Sequence, residues 1–458
     1  MKFSRFSITF GLCLALAACD GGASSGDEGQ GTSASCGDEV MPSPLDPTYA
    51  SCVGTSFLAT HSETRLIGAS DNAEVIRVLP GSNKLLLLAS KARKLTLLDV
   101  QDGALSTVAE KVFFAEDSSE SELTSLSVSP DGTWAVATRT IIEKDASGRQ
   151  VDCAGELVFF DLSEGESFGA ILRQIEVGPM PDAVAISGDG RFVVSADERD
   201  GPDAWGKCEV AGEKPSISVI EIGEGPDTAR LRSQIALDED IAVSGPREPE
   251  YVAISRDNDR VVVTLQDSHE IAVFDISALP EGVSTSDSLP LKIVKLPPNA
   301  LCAYPWPDGV LAFEDARGEE FFAIAGEWND QLIIVDRDGN TIANKEITPR
   351  ELPESLPRVV DGASPYFSPD SLAGFKLDGV PYLALTLRHA GAVLIYDVSS
   401  AESPTCPTTV KVGQSEAGGA DADGSTIRPE GVSAASDGRF IVTANEGESS
   451  VSLIVPAR

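Results

Sequence analysis

The sequence predicts an all-β protein: a seven-bladed β-propeller of four-stranded antiparallel blades, closed by an N-terminal strand that completes the last blade. Three observations carry that prediction. A unit of strand-like runs recurs seven times, and turns rich in Ser, Pro, Asp and Gly separate its first two runs. The final copy stops after its third run, while a segment resembling a fourth run stands near the other terminus. Repeats of this period mark propellers and solenoids. A solenoid needs capping repeats, and none is recognisable.

The third run is the plainest. It reads LTLLD (95–99), LVFFD (157–161), ISVIE (217–221), IAVFD (271–275), LIIVD (332–336), VLIYD (393–397) and VSLIV (451–455). The first runs are anchored at Ile76, Leu126, Val184, Val252, Val310, Leu372 and Val432, spaced 50, 58, 68, 58, 62 and 60 residues apart. Between first and second runs lie Ser129-Pro130-Asp131-Gly132, Ser187-Gly188-Asp189-Gly190 and Ser436-Asp437-Gly438. Asp-Gly between β-branched runs is a hairpin signal. The last unit ends at Val455, and Thr64-Arg65-Leu66-Ile67-Gly68 resembles the fourth runs at 173–178 and 292–294. Pairing the two ends would remove an open sheet edge.

The chain before the repeats reads differently. Lys2 and Arg5 precede a short apolar stretch that ends Leu16-Ala17-Ala18-Cys19. This resembles the lipobox of bacterial lipoproteins, which implies a signal peptide over 1–18 and lipidation of Cys19 as the new N-terminus. Residues 19–55 read as a lipidated flexible tether, because 21–35 are almost all Gly, Ser, Ala or acidic and cannot bury area against the entropy of ordering. A coil of about 30 such residues spans roughly 30 Å. Residues 56–458 are then the propeller. No later segment reaches the length of apolar chain needed for a membrane-spanning helix.

Acids outnumber bases 72 to 35, giving a formal charge of −37. That argues against nucleic acid and against adsorption to anionic lipid surfaces. The expected partners are the membrane, through the lipid, and an envelope protein or small ligand. A monomer is expected.

The repeats resemble the YVTN-type, lactonase-like propeller family. The likeness is clearest over Pro429-Glu430-Gly431-Val432, Ser436-Asp437-Gly438-Arg439-Phe440-Ile441-Val442 and Val451-Ser452-Leu453-Ile454, and again from Pro181-Asp182-Ala183-Val184 to Asp197. The resemblance implies the fold and an extracytoplasmic location. Lactonases, phytase-like esterases and quinoprotein-like enzymes share the shape, so fold does not settle chemistry.

Strand order assigns the faces. If the first strand starts at the top, the Ser-Pro-Asp-Gly turns lie at the bottom. The loops between second and third strands, and those between blades, lie at the top. Two positions before each first-strand anchor stand Glu74, Asp182, Glu250, Asp308, Asp370 and Glu430, with Thr124 in the seventh place. Six carboxylates would ring the channel mouth, where like charges raise one another's pKa or require a cation. The same pattern would arise if each carboxylate simply capped backbone N–H groups at a strand start. Trp205, Trp306, Trp328, Tyr304, Tyr366, Phe367, His269 and His389 also map to top loops, as recognition aromatics or as loop filler. Asp421-Ala422-Asp423-Gly424, just before Glu430, resembles the start of a calcium loop without its full ligand set. Calcium is therefore the one cofactor to consider. Asp336-Arg337-Asp338-Gly339-Asn340 falls at a bottom hairpin and reads as a turn.

Six cysteines remain beyond Cys13 and Cys19. The face assignment favours Cys153 with Cys208, and Cys52 with Cys406; Cys36 with Cys52 is the rival, and Cys302 with Cys406 is disfavoured. No C-x-x-C pair exists.

Two functions follow. One is a lipid-anchored extracytoplasmic propeller that binds a ligand or partner protein on its top face around the channel mouth. The alternative is a propeller hydrolase using channel carboxylates with a divalent cation, Arg388, Arg428 or His389 holding an anion. No nucleophile elbow is present, so no catalytic residue is assigned.

Overall fold

The computed structural model describes residues 59–66, 72–115, 120–145, 147, 150–199, 214–237, 247–285, 289–299, 303–347, 352, 359–361, 364–413 and 427–456. Everything before residue 59, including Cys19, Cys36, Cys52 and the tether, lies outside them. So do Trp205, Cys208, Cys302, Asp421 and Asp423, and the side chains of Tyr366 and Cys406.

Seven sheets follow one another along the chain, and the inner three strands of each lie in sequence order. Blade 1 is Ala73–Val78, Lys84–Ala89, Lys94–Gln101 and Ala104–Val112. Blade 2 is Glu120–Val128, Trp134–Lys144, Gln150–Asp161 and Ile171–Val177. Blade 3 is Pro181–Ile186, Phe192–Asp197, Ser216–Glu221 and Arg230–Ala236. Blade 4 is Pro249–Ile254, Arg260–Leu265, Glu270–Asp275 and Lys292–Lys295. Blade 5 is Pro307–Glu314, Glu320–Gly326, Gln331–Val335 and Thr341–Glu346. Blade 6 is Pro369–Leu377, Val380–Leu387, Ala392–Asp397 and Thr405–Lys411. Blade 7 is Pro429–Ala434, Ile441–Asn445 and Ser450–Pro456, completed by Ala59–Leu66.

The closure is as the sequence predicts, with a longer strand. Ala59–Leu66 runs antiparallel to Ser450–Pro456, pairing Thr64 with Ser452 and Arg65 with Val451. Arg65 then reaches the outer strand of blade 1, donating to the Leu105 carbonyl and the Thr107 hydroxyl at 2.8 Å each.

The core explains why the second and third runs are apolar without a break. Each inner blade face packs against a neighbour, so both faces of a strand are buried. In Lys84–Ala89, Leu86 and Leu88 join Leu126, Ala135 and Phe160 of blade 2, whereas Leu85 and Leu87 join Phe440, Val442 and Leu453 of blade 7. Each of the seven blade interfaces holds one such cluster among the described residues, including the one between blades 7 and 1.

The bottom turns use the predicted chemistry. The Ser129 hydroxyl donates to Asp131 at 2.7 Å and accepts the Trp134 N–H at 3.1 Å, while the Gly132 N–H closes onto the Ser129 carbonyl. Ser187 and Asp189 repeat the arrangement. Residues 336–340 form a turn held by the Asp336 carboxylate, which accepts the Asp338 and Asn340 N–H groups.

Two features were not foreseen. Gly282–Thr285 adds a fifth strand, parallel to Arg230–Ala236, at the edge of blade 3. A short hairpin pairs Val359–Asp361 with Ser364–Tyr366 ahead of blade 6. Described helix is limited to short 3-10 turns, and none is long and apolar enough to cross a membrane.

Candidate functional site

The inner strands begin on one face, and their first residues converge. Glu74, Thr124, Asp182, Glu250, Asp308, Asp370 and Glu430 all line one cavity of about 350 Å³ at the mouth of the channel. Glycine makes part of this convergence possible. A Cβ on Gly309 would stand 2.2 Å from the Asp370 carbonyl oxygen, and one on Gly431 would stand 2.4 Å from that of Glu74. Only glycine after Asp308 and Glu430 lets the neighbouring inner strands approach so closely. Thr124 fills its place by bonding, its hydroxyl lying 2.8 Å from that of Thr138 and 2.6 Å from the Pro181 carbonyl.

A second tier lines the same cavity. Glu198, Gln266, Glu327 and Arg388 each follow the last residue of a second strand, in blades 3, 4, 5 and 6. Ser90 and Glu446 hold the matching positions in blades 1 and 7. Sequence reasoning found Arg388 but missed the acids. The available signal was the residue after each second run, which needs the end of that run to be placed.

Arg388 organises one side of the mouth. It lies 2.7 Å from Glu430 and 3.4 Å from Glu327. Glu327 also accepts the Ser368 hydroxyl at 2.9 Å. Arg428 lies 3.5 Å from Glu430 and 3.3 Å from Glu446. A different group stands elsewhere on the rim. There Asp182, Glu198 and Glu250 place carboxylate oxygens within 4.8 Å of one another. This all-oxygen set suits a hard divalent ion such as calcium, whose remaining ligands would be water. It differs from the predicted set, of which Asp421 and Asp423 lie outside the described residues and Glu430 is held by Arg388.

Burial and crowding shift these groups together. Burial, relieved by the Ser90 hydroxyl and reinforced by Glu446 and Asp182, pushes Glu74 up to about 8. Burial, then Glu198 and Asp182, raises Glu250 well above the carboxylate range. Burial, then Glu327, raises Asp308; burial, then Asp308, raises Asp370. Glu430 is raised by burial against the pull of Arg388, and its carboxyl is hydrogen-bonded to Glu446. Burial works upward on Glu446 too, but the Glu430 hydrogen bond and Arg428 hold it low. Tyr251 lines the mouth cavity and also a second cavity of about 330 Å³ farther along the inner strands, where Arg77 is the basic residue.

The aromatic predictions divide. Trp306 and Trp328 have ring centroids 5.6 Å apart, His269 lies 6.1 Å from Trp306, and His269 stacks on Tyr304 at 5.8 Å. Trp328 and Tyr304 are exposed, at 47% and 40%. This row stands beside the mouth without lining it. Phe367 is fully buried in the cluster between blades 5 and 6 and is core, not surface. His389 is buried in a 3-10 turn, its N–H bonded to the Phe367 carbonyl, and does not line the cavity. Cys153 is buried, and the side chains of the other candidate cysteines lie outside the described residues.

Comparison with known proteins bears on the fold. A family model described as the choice-of-anchor I domain matches residues 74–282, from blade 1 to just beyond the third strand of blade 4. The structure resembles the hydrazine synthase of Kuenenia stuttgartiensis, with 16% identity, a TM-score of 0.52, and 85% of this chain and 96% of that one covered. The C-terminal WD40 domain of Sif2 aligns over 86% of this chain and 98% of its own, with 13% identity and a TM-score of 0.47. No curated protein sequence matches the chain.

Proposed function

We propose that this protein is a lipid-anchored extracytoplasmic binding propeller whose acidic channel mouth captures a positively charged ligand, divalent cations included. The observation that carries the reading is the convergence of six first-strand acids and two second-tier glutamates on one cavity. Among the described residues lining it, Arg388 is the only basic side chain. Carboxylates crowded in a partly desolvated site either stay protonated or draw in a cation. The lipobox-like Leu16-Ala17-Ala18-Cys19 and the Gly/Ser-rich stretch after it support a signal over 1–18, a lipidated Cys19 and a tether to residue 55. The description of the matching family as choice-of-anchor agrees with an anchored protein. In this reading Cys153 pairs with Cys208 and Cys52 with Cys406, stapling loops on the outer side of the membrane.

The intact chain should melt at a higher temperature in calcium chloride at pH 8, and chelator should reverse the gain. Glu250→Gln should remove the shift. Absence of any stabilisation by calcium, magnesium or tetramethylammonium chloride would overturn the reading. A hydrolytic reading draws on Glu74, which at about 8 could donate a proton near neutral pH. Turnover of lactone or phosphoester substrates, abolished by Glu74→Gln, would favour it instead.

A further inference from the structure

We infer that the ligand of the mouth is a small organic cation, an ammonium carrying an aromatic or alkyl group, and that Trp306 and Trp328 receive its apolar part. This rests on the cation-binding reading above and names the class of cation.

Three observations converge. First, two buried acids inside the cavity have no direct hydrogen-bond or ion-pair partner among the described residues. Asp308 and Asp370 are only 8% and 6% exposed and line the cavity, yet among the described residues no hydrogen bond or ion pair reaches their carboxylates. Arg388 bonds Glu327 and Glu430 and acts on Asp308 and Asp370 only through space. Buried carboxylates without partners are costly, and a bound ammonium would answer them.

Second, the space is wrong for a bare ion alone. A cavity of about 350 Å³ falls in the range of small-molecule sites, roughly 300–1,000 Å³. The close carboxylate trio of Asp182, Glu198 and Glu250 occupies one side of it. Asp308 and Asp370 belong to blades 5 and 6, beyond blade 4 from that trio.

Third, the aromatic row is joined to that same stretch of the mouth. Trp306 stands two residues before Asp308, and Trp328 directly follows Glu327. The Glu327 N–H donates to the Trp306 carbonyl at 2.8 Å, so the two segments are tied where carboxylate and indole alternate. The row already receives a cation at its far end, where the Lys295 ammonium lies 4.5 Å from the Tyr304 ring centroid. An organic ammonium held in the cavity and reaching out to the neighbouring indoles would gain both a charge partner and a cation–π contact.

The test is calorimetric titration of the intact chain with benzyltrimethylammonium chloride, with benzyl alcohol as the uncharged analogue and calcium chloride as the bare ion. The expected result is binding of benzyltrimethylammonium and not of benzyl alcohol. Trp328→Ala should weaken it by about fivefold to tenfold while calcium affinity stays unchanged. Asp308→Asn with Asp370→Asn should lose it. Equal affinity in Trp328→Ala, or equal binding of benzyl alcohol, overturns the inference and leaves the cation reading standing. Failure of both salts to bind removes the reading beneath it.

Discussion

Single residues at the mouth set how stability responds to pH. Glu74, Glu250, Asp308, Asp370 and Glu430 are all held above their ordinary values, with burial the leading cause in each. A carboxyl with a raised folded pKa favours the folded state fully below its unfolded value, and that contribution is lost as pH rises through the folded value. For Glu74 the window runs from 4.5 to about 8. Burial holds His269 below its usual value, so it acts in the opposite sense, but it stands against the five mouth acids and against Asp197 and Asp330, which burial also raises. Metal-free protein should therefore unfold at higher urea at pH 5 than at pH 8. A lower midpoint at pH 5 would contradict the buried ring. The ring acids were legible in the sequence because each holds the same offset from an apolar anchor. The burial of Phe367 and His389 was not, because it depends on how the 3-10 turn at Arg388–Ala390 packs against the connection that enters blade 6.

Within a blade, polar residues at the end of the second strand tie the sheet to its neighbours. Asp197 is fully buried and accepts the Ser195, Ser216 and Ser218 hydroxyls at 2.6–2.7 Å and the Gly178 N–H at 3.1 Å. Gly178 belongs to the connection from blade 2, so the carboxylate fastens that connection to blade 3. Burial raises its pKa to about 6 against those four donors. Blade 7 solves the same problem with an amide. Asn445 accepts the Thr443 hydroxyl and donates to Ser450 and Ser452, while the Gly413 N–H goes to Ser452. Asp197→Asn should therefore adopt the blade 7 pattern with little loss. Asp197→Ala should cost about 2–4 kcal/mol, because it strands buried donors. Urea denaturation of both variants checks this; equal losses would refute the cradle. The blades themselves were readable from turn chemistry and apolar runs. Glu198 and Glu327 went unnoticed because the ends of their strands were not fixed by pattern. The added strand at Gly282–Thr285 is set by a free sheet edge, which no local signal encodes.

At the scale of the whole ring, seven similar interfaces share the load, and the Ala59–Leu66 strand completes the blade where the chain ends meet. Removing it would bare the edge of Ser450–Pro456 and release the Arg65 link to blade 1. Exposed edges template association. A chain starting at Asn72 should melt several degrees lower and scatter more light as concentration rises. Identical melting of the shortened and intact chains would show that the clasp is dispensable. The architecture was foreseen because repetition amplifies a weak signal sevenfold. The placement of Arg388 beside Glu430 and of the Asp182, Glu198 and Glu250 group elsewhere on the mouth was not, since it arises from differences between copies.

The clasp also orders events in time. The strand made first in the propeller finds its partner only after the strand made last has appeared, with six blades of chain between them. Growth from one end can stack the intermediate blades as they emerge, yet blade 7 stays short of its outer strand until synthesis has delivered Ser450–Pro456. A polypeptide interrupted anywhere before that point would present an incomplete circle, which a quality-control protease could recognise by its unzipped seam.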